Sequence, residues 1–270
     1  MDRIDDIIAC VNEMAPEDLA EPWDNCGLII ASEREYAERI IVCLDVTRAV
    51  VDEAIGMGAH LIIAHHPPIF NPIKRIGRNS EQSALLRSLI KNDIAVYAAH
   101  TNVDKTYGGL NDLLAGIIGV ETPAPDEASE PLSYFRVGEL PRGMTAREFD
   151  EHARLRLKVK NLAVSAVTAP SAIIKRVAVM CGSYSFSAER FRALKADALL
   201  CGEIKYHDML DLAAMGVHVV QAGHHGTERF FINLVKRWIA DKYPGAQARG
   251  VGFSSPPIEI YNGGNAGGDV

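Results

Sequence analysis

Two histidine pairs stand at the ends of apolar runs. The stretch "LIIAHHPPIF" (61 to 70) leads into His65 and His66, and "VVQAGHHG" (219 to 226) leads into His224 and His225. A third run, "YAAHTNVD" (97 to 104), adds His100 and Asp104, and Glu228 follows His224 by four positions. Imidazole nitrogens with carboxylate oxygens and no thiolate suit Zn, Mn, Fe, Co or Ni better than calcium or Cu(I). Pro67 biases His66 towards an extended conformation, which splays the adjacent imidazoles apart. Diverging side chains chelate one small ion poorly, but each can hold one ion of a pair.

Positioning these groups requires strands that end together. "RIIVCLDVT" (39 to 47), "HLIIAHH" and "IAVYAAHT" read as buried strands, separated by helical "RAVVDEAIGMG" and "SEQSALLRSLIKND" and followed by "GGLNDLLAGIIG". Short, wholly apolar strands between amphipathic helices are the pattern of βαβ units around a sheet covered on both faces. After a proline-rich acidic stretch the alternation resumes. Helical "TAREFDEHARLRL" carries a capping box, Thr145 with Glu148. Then come "RVAVMCG", "SAERFRALKA", "ADALLCG", "HDMLDLAAMG" and "VHVVQAGHHG", and a long helix, "TERFFINLVKRWIADKYPG". Thr227 reads as the N-cap of that last helix, with Glu228 in its first turn. The expected fold class is α/β, two halves packed together: a first half over 1–122, a linker over 123–133, a second half over 134–262, and a mobile tail over 263–270. In such sheets, sites gather beyond the carboxyl ends of the strands, where His65, His66, Asp104, His224 and Glu228 all fall.

Composition excludes several classes. With 48% hydrophobic and 23% charged residues the chain is an ordinary globular protein. A net charge of −7 and a pI near 5.7 argue against nucleic-acid or anionic-membrane binding. The acidic, amphipathic "MDRIDDIIACVNEM" is no signal peptide, and no apolar run approaches a membrane span. Five scattered cysteines, never spaced CxxC, point to a reducing compartment, the cytoplasm, and to small buried apolar roles.

The ordered set "PWDNCGL", "LIIAHHPPIF", "YAAHTNVD", "GGLND", "GEIKYHD" and "GHHGTE" resembles, over nearly the whole chain, the Nif-three-like dinuclear-metal proteins called GTP cyclohydrolase I type 2 homologues. The resemblance implies two interlocked α/β/α halves with mixed sheets, two divalent metal ions per chain, and a homo-oligomer, a hexameric ring with its sites facing an interior cavity. It also implies that His65 and His66 bind different metals, that Asp104 joins His66 and His224 joins His65, and that Glu228 bridges both. The chain departs from the family at His225, where an aromatic residue is usual, and in "CGSYSFS" (181 to 187), which lacks the fuller glycine run and reads as a strand-to-helix turn.

Around these ligands, His207 and Asp208 open a helix as a proton-transfer pair or a cap, and His100 supports a ligand or is a buried structural residue. Lys74, Arg75 and Arg78 meet a small anionic substrate or form a solvated basic loop. Asp24 and Asn25 face the cavity or cap a turn. Three functions fit. In a metal-dependent hydrolase, acting on a nucleotide, a phosphoester or a cyclic amide, two ions acidify a bridging water. There Glu228 holds the ions, and His207 or His225 handles protons. The alternatives are a metal-handling or delivery protein and a regulatory assembly with structural metals. The ligand count leaves open coordination positions, which favours the hydrolase.

Overall fold

The computed structural model describes residues 2–121 and 134–252. The linker expected at 123–133 and the tail expected at 263–270 lie outside the described residues. The chain builds two five-stranded mixed sheets. In the first, Gln247–Gly250, Arg39–Cys43, Leu61–Ala64 and Ala95–Ala98 run parallel in that order, and Gly27–Ile30 closes the edge antiparallel. In the second, Ile173–Val179, Ala198–Cys201 and His218–Gln221 run parallel. Arg136–Thr145 and Ala163–Val164 flank them antiparallel. Gln247–Gly250 comes from the far end of the chain yet completes the first sheet, so the two halves are interlocked through their strands.

Side-chain alternation along the strands sets the layers. Leu61 and Ile63 join a central cluster with Ile40, Val42 and Tyr97, and so do Val177, Val179 and Leu200 of the second sheet. Helices Ile4–Met14, Leu110–Ile118, Ala146–Leu157 and Phe231–Lys242 fill that layer with Ile7, Leu114, Phe149 and Leu234. The opposite face of the first sheet, Ile41, Ile62 and Val96, packs under helices Arg48–Met57 and Glu81–Lys91 through Val51 and Leu86. The opposite face of the second sheet, Ala178, Leu199 and Val219, packs under Phe191 and Leu212. Both sheets are thus covered on both faces, which explains why their parallel strands are apolar without alternation.

Local signals end the elements. Thr47 and Ser80 accept from the backbone N–H groups of Val50 and Ser83 at two helix starts. Thr145 and Glu148 form the reciprocal capping box. The last expected helix is divided. His224–Glu228 is a helix of its own and Phe231–Lys242 another, so Thr227 is no N-cap. Its hydroxyl instead lies 2.9 Å from the His224 carbonyl and accepts from Gly182 N–H at 3.1 Å, tying the short helix to the neighbouring strand end. No helix among the described residues is long and apolar enough to cross a membrane.

Candidate metal centre

Backbone ladders continue past the strands and hold the site residues in register. His65 and His66 N–H donate to the Cys43 and Leu44 carbonyls at 3.0 and 2.9 Å, and Ala99 N–H donates to Ala64. On the other sheet Ala222 and Gly223 N–H donate to Cys201 and Gly202, both at 2.9 Å. The carboxyl ends of the two sheets meet, and the side chains beyond them converge. His65 keeps the parity of Leu61 and Ile63, so its ring turns into the central layer, 4.8 Å from Phe231 and fully buried. His66 has the opposite parity and is partly exposed. Their ring planes are tilted by 47°, with centroids 4.9 Å apart.

Each of four imidazoles has its Nδ1 taken by an oxygen. Ala99 O holds His65 at 3.0 Å, Asp45 holds His66 at 2.9 Å, Asp24 holds His100 at 2.8 Å and Glu203 holds His224 at 3.1 Å. Such partners fix the ring orientation and leave Nε2 as the outward nitrogen. His65 Nε2 lies 3.7 Å from both Asp104 Oδ1 and Glu228 Oε1. His66 and His224 Nε2 lie 3.1 and 2.9 Å from Glu228 Oε2. His65 Nε2 is buried without a hydrogen-bond partner, and buried Glu228 Oε2 is approached by the His66 and His224 nitrogens alone among the ion pairs of the described residues. Buried polar atoms without partners are costly, and a shared cation would satisfy all of them at once. Two overlapping sets have ligand atoms close enough for an ion: His65, His66 and His100, and His66, His224 and Glu228.

Electrostatics points the same way. Among the described residues the ion pairs of buried Asp104 and Glu228 are with imidazoles, without Lys or Arg. Burial pushes the Asp104 carboxyl up, and the Glu228 charge adds to this against His65. Burial also works to raise Glu228, but the charge of His65 and the nearby nitrogens of His224 and His66 hold it well below the usual range. Burial would lower His66, yet Asp45 and Glu228 push it up to about 10. His224, with Glu228 and Glu203, is pushed up to about 9 in the same way. At neutral pH His66 and His224 are therefore protonated in the absence of an ion.

Gly182 makes room for the Glu228 carboxylate. Its φ is +63°, and a Cβ there would stand 2.5 Å from Glu228 Oε1. Cys181 packs beside it, its thiol 3.2 Å from Asp104 Oδ1 as donor, while its N–H donates to Asn111 Oδ1 at 2.6 Å. "CGSYSFS" thus runs from the strand end into a short strand, Ser183–Tyr184, before helix Ala188–Ala193.

The five expected ligands, His65, His66, Asp104, His224 and Glu228, lie together. His65 faces Asp104, and His66 faces His224 at 3.4 Å. His66 follows the strand parity away from Asp104, which sits deep in helix Thr101–Lys105. His100 stands among the ligand-capable nitrogens themselves. His225 turns to a small apolar recess with Leu44, Asp45, Val50 and Ile232. His207 is exposed on helix Tyr206–Ala214, against Tyr206, outside both converging sets. Sequence reasoning missed Asp45, Glu203 and Cys181 as supports. Asp45 and Glu203 carried a signal, since each is a carboxylate just past an apolar strand.

Residues 2–255 match the model of the family described as Duf34/NIF3 (NGG1p interacting factor 3). The chain is 35% identical over 233 residues to the GTP cyclohydrolase 1 type 2 homolog of Clostridium perfringens, covering 84% of this chain and 87% of that one. It is 32% identical over 245 residues to the GTP cyclohydrolase 1 type 2 of Helicobacter pylori, covering 87% and 90%. Among solved structures, the Bacillus cereus protein related to NIF3 superposes with a TM-score of 0.82 at 24% identity, over 96% of this chain and 99% of that chain.

Proposed function

The chain belongs to the Duf34/NIF3 family, and on that premise we propose that it holds two divalent ions per chain and works as a metal-dependent hydrolase of the GTP cyclohydrolase 1 type 2 kind. The observation that carries this reading is the set of outward Nε2 atoms on His65, His66 and His224, gathered on the two oxygens of buried Glu228. In this reading His65, Asp104 and Glu228 would hold one ion, and His66, His224 and Glu228 the other, with His100 beside them. Bound divalent ions supply charge stabilisation at a reacting oxygen and acidify water.

The chain's own residues do the rest. Ala99, Asp45 and Glu203 orient the imidazoles, and Thr227 and Gly182 keep the Glu228 carboxylate between the sheets. Of the two histidines expected to handle protons, His225 lies beside Asp45 and is better placed than exposed His207. A hexameric ring in the cytoplasm belongs to the same proposal. Substrates in its scope are nucleotides, phosphoesters and cyclic amides. The test is elemental analysis of protein purified anaerobically with added metal, followed by a hydrolysis screen over those classes with and without a chelator. Turnover that requires the metal supports the hydrolase. Full sites with background rates throughout would turn the reading towards a metal carrier.

A further inference from the structure

Beside the ligand cluster stand aromatic rings that the reading above leaves unused. Trp23 is 60% exposed and Phe70 is 44% exposed, with their centroids 6.0 Å apart at 57°. Phe70 in turn meets the edge of His100, at 6.2 Å and 76°. The His100 ring is 5.1 Å from His65 and 5.3 Å from His66. A continuous run of rings therefore leads from an exposed indole to the metal-ligand nitrogens.

The indole is held out to solvent by a loop fixed on its following side. The Asp24 side chain is fully buried, with Oδ1 on His100 Nδ1 and Oδ2 accepting from Thr101 N–H at 3.1 Å. Asn25 Nδ2 donates to the Ile69 carbonyl at 2.5 Å, which ties the Trp23 loop to the residue before Phe70. A rigid, exposed aromatic platform of this kind suits a planar ring, because every heterocyclic base offers a π face.

A second, independent observation concerns charge. The segment after the platform, "FNPIKRIGRNS" (70 to 80), carries Lys74, Arg75 and Arg78 and no acid, in a chain of net charge −7. These cations are exposed and have no ion-pair partner among the described residues. Gly77 N–H donates to Ser83 Oγ at 3.2 Å, and Gln82 donates to the Pro68 carbonyl at 3.0 Å, so the segment is anchored to helix Glu81–Lys91. Positive charge in the segment that follows Phe70 of the platform matches a ligand that joins a planar base to an anionic group.

We propose that Trp23 and Phe70 form a stacking subsite for the heterocyclic ring of an anionic, nucleotide-like substrate, with Lys74, Arg75 and Arg78 receiving its anionic group. This rests on the metal-centre reading for where the reaction occurs, but its test reads binding alone. Trp23 and Trp238 are the two tryptophans, and Trp238 is buried. In a Trp238→Phe chain, guanosine 5′-monophosphate should quench the remaining indole emission saturably, and ribose 5-phosphate should not. Calorimetry on the unaltered chain supplies the same comparison without that substitution: the ring-bearing probe should bind about tenfold more tightly. Trp23→Ala should abolish that advantage, and Arg75→Gln with Arg78→Gln should weaken both probes and flatten their salt dependence. Light scattering on Trp23→Ala should show an unchanged assembly. Equal binding of the two probes, or a guanosine 5′-monophosphate affinity unaffected by Trp23→Ala, would overturn the subsite. Dissociation of the Trp23→Ala assembly would do so too, by assigning the rings to contact with a second copy. A chain that binds the ring but hydrolyses nothing keeps the subsite and loses the hydrolase; turnover without any ring preference does the reverse.

Discussion

Nε2 of His66 and Nε2 of His224 approach to 3.4 Å, although 158 residues separate them and they follow strands of different sheets. Both rings have their Nδ1 on a carboxylate, Asp45 for one and Glu203 for the other. Two imidazoles whose outer nitrogens face each other across one carboxylate oxygen need a positive centre between them. Protons supply it in the ion-free protein, which is why Asp45, Glu203 and Glu228 raise these histidines despite their burial.

Metal uptake should therefore release protons. With His66 at about 10 and His224 at about 9, both are protonated at pH 7.5 in the ion-free protein. Calorimetric titration with Zn²⁺ in two buffers of different protonation enthalpy should show roughly two protons leaving per chain, and affinity should fall as pH drops. The linkage in the ion-free protein has the opposite sense. Its histidines are raised above 6.5, so their contribution to stability is complete below that value and is lost as pH rises through about 9 to 10. An ion-free protein that gains stability over this range would contradict the arrangement.

Under the proposed two-ion assignment Glu228 serves both ions, so Glu228→Gln should lower metal content at both sites, whereas His66→Ala should empty mainly one. Asp45→Asn leaves every ligand in place but loosens the His66 ring, and should weaken uptake by about 10–100-fold. Elemental analysis after dialysis against graded chelator separates the three. Identical losses in Glu228→Gln and His66→Ala would show that Glu228 does not serve two sites.

Much of this fold was legible because its parallel strands are buried on both faces. Leu61–Ala64 and Ala198–Cys201 are apolar at every position, and the intervening helices carry Thr47, Ser80 and Thr145 as start signals. The edges were not legible. Arg136–Thr145 contains Pro141 and Gly143 and shifts register between Glu139 and Met144, and Gln247–Gly250 has almost no apolar content. Such strands are defined by the partner they pair with, which local pattern does not encode. The five candidate residues were visible at strand ends, but which of them face one another depends on parity along Leu61–His66 and on the depth of Asp104. Those are properties of packing.

Gly182 and Gly116 give opposite expectations for the same substitution. At Gly182, φ is +63° and the added methyl would stand 2.5 Å from Glu228 Oε1, so Gly182→Ala should cost about 1–3 kcal/mol and lower metal content. Gly116 lies within helix Leu110–Ile118 with open space around it, so Gly116→Ala should stabilise by about 0.5–1 kcal/mol. Urea unfolding of both variants against the parent checks the pair. A neutral Gly182→Ala would mean that the Glu228 carboxylate tolerates displacement.

The last expectation separates an enzyme from a carrier at Asp104. This carboxylate is buried, 3.7 Å from His65 Nε2, and takes a thiol hydrogen bond from Cys181. The central core is built from Leu61, Val177, Phe149 and their neighbours, so Asp104→Asn keeps shape and burial while removing one negative charge. In an enzyme, that charge helps hold the ion at the reacting centre, so hydrolysis should fall by about a hundredfold or more under saturating metal, with unfolding nearly unchanged. Cys181→Ser, which keeps a donor towards Asp104, should retain most of the activity, and Cys181→Ala should lose more. A carrier predicts a different pattern. Asp104→Asn would then speed metal release to a competing chelator, while no nucleotide, phosphoester or cyclic amide turns over even in the parent chain with both sites full. Rates of hydrolysis and of metal release, measured side by side on these variants, decide between the two.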